Sequence, residues 1–322
     1  LFVGNMLSGL IDKQNNLGAV VADCIGFKGE AVKIETACSS GASAFRTGIV
    51  AVASGEIDSA MVLGVEKMTD AAPTEVTSAL ATAADSDWEL EQGVSFVGLN
   101  ALVMKRYMHE YGWKHEDFAP FSINSHTNAV HNPYARLPFS INQEQYNKSG
   151  MVAAPISLLD ASSIGDGAAA ALIVPLENVR GDKRAVQILG SGAATDTLSV
   201  HSRKAPLFLQ AAYLSAQRAY AQAGMNHEDI DFFELHDAFS IMAALSLEAC
   251  GFAEQGQGPR LGLDNEITPK GGRIPICTRG GLKARGHPVG ATGMYQIVES
   301  VQHLREECGE TQVDGAKIGM TQ

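Results

Sequence analysis

The order of elements that follows Cys38 returns after His287, and this repetition limits the fold more than any other feature of the chain. Cys38 comes after a strand-like run over 31–37. Small residues follow it, then an amphipathic segment over 39–54, a Gly/Glu/Asp loop and a second strand-like run from Ser59 to Val65. After His287 come Pro-Val-Gly-Ala-Thr-Gly, an amphipathic segment over about 294–306, another Gly/Glu/Asp loop and a strand-like run from Lys317 to Thr321. Few residues match between the two stretches, yet the order is the same. Two similar halves are expected, each placing a reactive side chain where a strand turns into a helix. Apolar runs alternate with helical patterns through most of the chain, which predicts an α/β fold with largely buried strands. The segment 39–54 predicts a helix with Ala42, Phe45, Ile49, Val50 and Ala53 near one face and Gly55 closing its end.

Residues 70–150 interrupt this pattern. They are richer in Asn, His, Tyr and Asp, and Pro120, Pro133 and Pro138 break them. They read as an excursion of helices and loops from the α/β core. The α/β signal resumes over 166–174. The 322 residues suggest roughly two domains at ~100–200 residues each. The chain opens inside the strand-like Leu1-Phe2-Val3 and stops inside another such run, so it reads as a fragment clipped at both ends.

Charge narrows the partners. Lys plus Arg is 24 against 36 Asp plus Glu, a net of −12. That argues against general nucleic-acid or anionic-membrane binding, which needs a basic face. A local basic patch would still serve a small anionic ligand. The five cysteines form no CxxC pair, so a reducing, cytoplasmic setting is expected, without a disulfide framework or zinc ribbon. No apolar run approaches the ~18–20 residues of a membrane span, and no secretory leader is visible.

Three segments carry chemistry. In Thr36-Ala37-Cys38-Ser39-Ser40-Gly41, Cys38 stands at the expected N-terminus of a helix. The unpaired amides and dipole there favour a thiolate and predict a lowered pKa. Read locally, Cys38 is either a nucleophile or a packed core cysteine. In Arg279 to Gly293, five glycines and a proline flank His287. Such a run is costly to order unless backbone shape matters, and it matches neither a Walker A loop nor GxGxxG. It reads as a general base on a tight turn. In Phe232 to Phe239, an apolar strand leads into His236 and Asp237. That pair suits hydrogen-bond donation or proton transfer, or Asp237 simply caps the following helix. The other histidines show no metal-ligand spacing. Cys24, Cys250 and Cys308 read as structural, and Cys277 as structural or close to a site.

Together and in this order, these segments resemble the thiolase family, above all its sterol-carrier-protein-type and archaeal acetoacetyl-CoA members. The matching strings are Val3 to Met6, Glu35 to Gly41, Gly64 to Thr69, Ser163 to Ala170, Glu234 to Phe239 and Gly280 to Gly293. The His-Asp pair marks the subgroup, since other thiolases carry Asn-Glu there. The resemblance implies a duplicated five-layer α-β-α-β-α fold with an inserted loop domain. The N-terminal half would span 1–180, with the loop domain at about 70–150 and an initial strand and helix missing. The C-terminal half would span 181–322.

The resemblance also implies the chemistry. A reversible Claisen condensation, or the thiolytic cleavage of acetoacetyl-CoA or another 3-ketoacyl-CoA, would run through a thioester on Cys38. His287 would be the base, and His236 with His287 would line an oxyanion hole. The Cys38 amide would help form another. Ser162 would touch the pantetheine arm of coenzyme A, unless it is a simple turn serine. Coenzyme A would be a substrate, and no metal or redox cofactor is expected. A homodimer or tetramer is implied, as is a complex with hydroxymethylglutaryl-CoA synthase through a zinc-ribbon/OB-fold protein.

Two departures stand out. Ala238 replaces the cysteine that follows His-Asp in sterol-carrier-type members, and the usual C-terminal Cys-x-Gly-Gly position falls beyond Gln322. A second acid/base is therefore not identified. Cys277 and Arg279 stand where Asn and Ser are usual, and a cation near the His287 loop would alter ligand choice or face a carboxylate. Two alternatives remain: an inert thiolase-like scaffold that binds acyl-CoA or lipid, and another condensing enzyme of the same fold. The His-Gly-Thr motif of ketoacyl synthases is absent.

Overall fold

The computed structural model describes residues 1–322. Eight strands are present: β1 Phe2–Gly4, β2 Val32–Ile34, β3 Ala60–Glu66, β4 Met151–Ala153, β5 Ile156–Ser157, β6 Gly167–Ile173, β7 Phe232–Glu234 and β8 Gly319–Thr321. The chain forms two compact units. The first comprises Leu1–Leu80, Ile164–Gln187 and His287–Val301, and the second Ala81–Ser163, Ile188–Gly286 and Gln302–Gln322.

The first unit is built on a four-stranded sheet in the order β2-β1-β3-β6. β1 pairs in parallel with β2 and β3. β3 and β6 pair antiparallel, from Ala60 opposite Ile173 to Glu66 opposite Gly167. The helix expected over 39–54 spans Ser40–Ala53, but its buried face differs from the expected one. Gly41, Ala44 and Gly48 are buried, while Val50 is 54% exposed. The cause is close approach to the sheet. A Cβ on Gly48 would stand 2.9 Å from Val62 and 3.0 Å from Ile173, so larger side chains cannot take that face. Gly55 follows the helix with φ +78, in the left-handed region that glycine favours.

The second unit is mostly helical. The segment 70–150 contributes Phe96–Tyr111 and Ala119–Ala129 to it. Phe96–Tyr111 starts where Ser95 accepts a hydrogen bond from Gly98 N and ends at Gly112, φ +77. These helices share an apolar core with Ser240–Ala249, including Tyr107, Phe118, Phe121, Phe233 and Leu247. β7 pairs in parallel with β8, and Phe233 also bridges Ile276. β7 ends at Glu234, two residues before His236, so the strand core fixes where that residue emerges.

Candidate active site

In the first unit, β2 ends at Ile34 and the chain turns sharply into the helix that begins at Ser40. Ala37 takes φ +52, a left-handed conformation that few non-glycine residues hold without support. Short hydroxyl side chains supply that support. Ser40 Oγ accepts from Thr36 N at 2.9 Å and donates to Ala37 O at 2.6 Å. Ser39 Oγ donates to Thr36 O at 2.6 Å. Cys38 sits on this elbow, half-buried.

His287 stands on the second turn. Its backbone bridges Ile164, and its Nδ1 lies 2.7 Å from Thr292 Oγ1. The Cys38 sulfur and a ring nitrogen of His287 lie within 4.8 Å of one another. Two glycines allow this approach. A Cβ on Gly41 would stand 2.8 Å from Gly290 O, and one on Gly290 would stand 2.7 Å from both Glu66 Oε2 and Met6 N.

The expected lowering of the Cys38 pKa is corrected. Burial is the largest cause pushing the thiol up to about 12, and the negative charges of Glu66 and Glu35 add to it. A hydrogen bond from its own amide opposes them without prevailing. The helix N-terminus is present, but burial and the Glu66 carboxylate outweigh it. The resting group is a thiol.

Glu66, at the end of β3, went unassigned in the sequence. Its Oε1 accepts from Asn5 Nδ2 at 2.8 Å and Leu7 N at 3.0 Å. Its Oε2 accepts from Met6 N at 2.9 Å and Gly290 N at 3.1 Å. The strings containing Asn5 and Glu66 were visible, but nothing local joined them.

The second unit holds His236 and Ser162. Ser162 N donates to Ala238 O at 2.8 Å, and Ala161 bridges Phe239. The Ser162 loop and the His236–Asp237 turn are therefore neighbours. Burial lowers the His236 pKa to about 4, Asp237 opposing and Arg285 assisting. The ring is neutral near pH 7 and can donate one hydrogen bond without carrying charge. Asp237 does not cap the following helix, which begins at Ser240. Its Oδ1 accepts from Leu282 N at 2.6 Å and its Oδ2 from Ser125 Oγ at 3.1 Å.

A second buried carboxylate, Asp160, precedes the Ser162 loop. It accepts from Ser157 N at 2.9 Å, Ser157 Oγ at 2.8 Å and Tyr146 Oη at 2.5 Å, and pairs with His115 Nε2 at 2.7 Å. Lys283, fully buried in the glycine-rich string, donates to Asp160 O. Burial alone would raise the Asp160 pKa, but His115, Lys283 and Tyr146 together hold it at about 2.

The remaining candidates resolve simply. Cys277 is fully buried with its sulfur toward Leu235 O. Arg279 is buried and donates to Cys308 O at 3.3 Å, so it is neither an open ligand cation nor seen pairing with a carboxylate. Cys250 and Cys308 are buried, while Cys24 is exposed and has no packing role.

Residues 1–177 match the family described as "Thiolase, N-terminal domain", and residues 192–322 match "Thiolase C-terminal domain-like". An acetyl-CoA acetyltransferase of Methanothermobacter thermautotrophicus is 43% identical over 323 residues, covering 100% of this chain and 84% of the relative. Sterol carrier protein 2 of Oryctolagus cuniculus is 32% identical over 308 residues, covering 90% of this chain and 55% of the relative. Among solved structures, an Ltp2-ChsH2(DUF35) aldolase superposes with a TM-score of 0.82 at 24% identity, covering 98% of this chain and 81% of that one. The chain belongs to the thiolase family and has its fold. It is an acyltransferase enzyme of the thiolase type. No helix is long and apolar enough to cross a membrane.

Proposed function

We propose that the protein interconverts acetyl-CoA and acetoacetyl-CoA, or cleaves a related 3-ketoacyl-CoA, through a thioester on Cys38. The observation that carries this reading is the Cys38 elbow with the His287 ring beside it. With the Nδ1 proton given to Thr292 Oγ1, His287 Nε2 holds the lone pair that takes the Cys38 proton. The sulfur then bonds to the 3-keto carbon, and the bond between the second and third carbons breaks. The departing acetyl-CoA enolate gains one proton at its α-carbon. In the second half, coenzyme A gives a proton to His287, attacks the thioester and displaces the Cys38 sulfur. Across both halves, the Cys38 proton ends on the acetyl group and that of coenzyme A replaces it.

Each negative oxygen needs a prearranged donor. The Cys38 amide, at the start of its helix, serves the oxygen on the acyl carbon. His236, neutral near pH 7, serves the enolate oxygen together with His287. Ser162 contacts the pantetheine arm, which suits its loop beside the His236 turn. No step requires a metal or redox group. A homo-oligomer is the working form. A DUF35-containing protein is its partner, by analogy with the Ltp2-ChsH2(DUF35) assembly, and a hydroxymethylglutaryl-CoA synthase is the further component.

The test is acetoacetyl-CoA cleavage with added coenzyme A, for the protein and for Cys38→Ala. Turnover that the substitution abolishes supports the reading. Turnover that survives it removes Cys38 as the nucleophile.

A further inference from the structure

Two strings of the sequence have no part in the chemistry above: Val3-Gly4-Asn5-Met6 and the Glu66 segment that ends β3. The first unit joins them. The Glu66 carboxylate takes four N–H hydrogen bonds, two on each oxygen, from Asn5, Met6, Leu7 and Gly290. An ionised carboxylate is acceptor-only and suits four donors, whereas a protonated one would turn its O–H toward an N–H. Asn5 is itself fixed, giving its second amide hydrogen to Val65 O at 2.9 Å and accepting from Ser8 N at 3.0 Å. Glu66 and Asn5 are 1% and 2% exposed, so water does not replace these bonds.

Gly290 lies three residues after His287, and its N–H is one of the four donors. The carboxylate therefore pins the turn that carries the base. Its negative charge also adds to the causes that hold the Cys38 thiol protonated. Within the first unit, the ionisable groups around that sulfur are Glu66, Glu35 and His287, and Lys33 lies on the Glu66 side.

We propose that Glu66 is a positioning residue for acyl transfer: it fixes the His287 turn through Gly290, and its charge keeps Cys38 a thiol until His287 takes the proton. The proposal rests on the reading of Cys38 as nucleophile and His287 as base. It accounts for a buried carboxylate that bonds the His287 turn and whose charge opposes the charged form of Cys38. A free thiolate is disfavoured, so proton removal becomes coupled to the base.

The experiment is iodoacetamide alkylation of the protein across pH, following the Cys38 peptide by mass so that exposed Cys24 does not interfere. Glu66→Gln keeps the size and removes the charge. Its alkylation midpoint is expected to fall by about one pH unit, a roughly tenfold faster reaction at a pH below both midpoints. Its kcat is expected to drop at least about tenfold, with KM for coenzyme A changing far less. Glu66→Asp keeps the charge, and its midpoint is expected to stay. A Glu66→Gln midpoint that stays or rises overturns the proposal, even if kcat falls, because a purely structural role predicts that result.

Asn5→Ala covers the case in which Glu66→Gln does not fold. It removes one donor and leaves the charge, so kcat is expected to fall while the midpoint does not. A falling midpoint there overturns the proposal. Alkylation needs no turnover, so this outcome is independent of the Cys38→Ala assay that tests the reaction itself.

Discussion

Glu66 in the first unit and Asp160 in the second are both buried carboxylates with four partners each, yet the partners differ in kind. Three of the four donors to Glu66 are backbone N–H groups. Three of the four groups on Asp160 are side chains, from Ser157, Tyr146 and His115, and Lys283 adds a positive charge nearby. The consequence shows in proton affinity. Burial, the largest influence, leaves the Glu66 pKa raised despite its amide donors, while Asp160 is held at about 2. Main-chain dipoles hold the Glu66 carboxylate in place, whereas the hydrogen bond from His115, the Lys283 charge and Tyr146 together bring Asp160 down. The first unit thereby keeps a charge whose influence reaches Cys38, and the second surrounds its own with partners that favour the charged form.

The largest effect should come from adding bulk where main chains meet. Gly290→Ala would force a methyl against Glu66 Oε2 and Met6 N. Overpacking of this kind costs about 1–3 kcal/mol, and displacement of the His287 turn should lower kcat by about a hundredfold or more. Initial rates and urea unfolding measure both. Tolerance of this alanine would mean that the backbone-built site is softer than the side-chain-built one. Next comes Lys283→Met, which removes the buried amine that bonds Asp160 O and helps lower the Asp160 pKa. Losing a hydrogen bond from a charged group costs about 1.5–3 kcal/mol, and a fall in the urea midpoint should report it.

The pH dependence sharpens the same contrast. Asp160 has a folded pKa below its ordinary value, so its contribution is complete above about 4 and disappears as pH falls through about 2. That contribution is on the order of 2 kcal/mol. Asp160→Asn should flatten this part of the acid unfolding curve. His236 acts in a different window. With a folded pKa of about 4 against roughly 6.5 unfolded, its contribution is complete above pH 6.5 and is lost as pH falls toward 4. Cys24→Ser should change least, within about 0.5 kcal/mol, with turnover unchanged, because the residue is exposed.

Much of this arrangement was legible in the chain. The helix after Cys38, β3, β6 and the turn from β7 into His236 follow from local apolar runs and glycine stops. The helix expected over about 294–306 spans Thr292–Leu304. The buried face of Ser40–Ala53 was not legible, because a reading that counts large apolar side chains passes over Gly41, Ala44 and Gly48. The Glu66 cage was hidden because its donors lie 60 residues and 224 residues away in sequence. Lys283 carries no signal of its own within the glycine-rich string, and only the fold shows it bonded to Asp160 O. The direction of the Cys38 shift was misjudged for a related reason. The helix start is local information, while burial and the Glu66 charge come from distant segments.

The raised proton affinity of Cys38 has a bearing on how long the enzyme lasts. Peroxides attack thiolates, and oxidation beyond the sulfenic acid is hard to reverse. With its pKa pushed up to about 12, Cys38 is overwhelmingly a thiol near pH 7 in the resting protein. The sulfur is then chemically quiet between turnovers. A thiol held in its protonated form is slower to be spoiled by oxidants than one kept permanently charged.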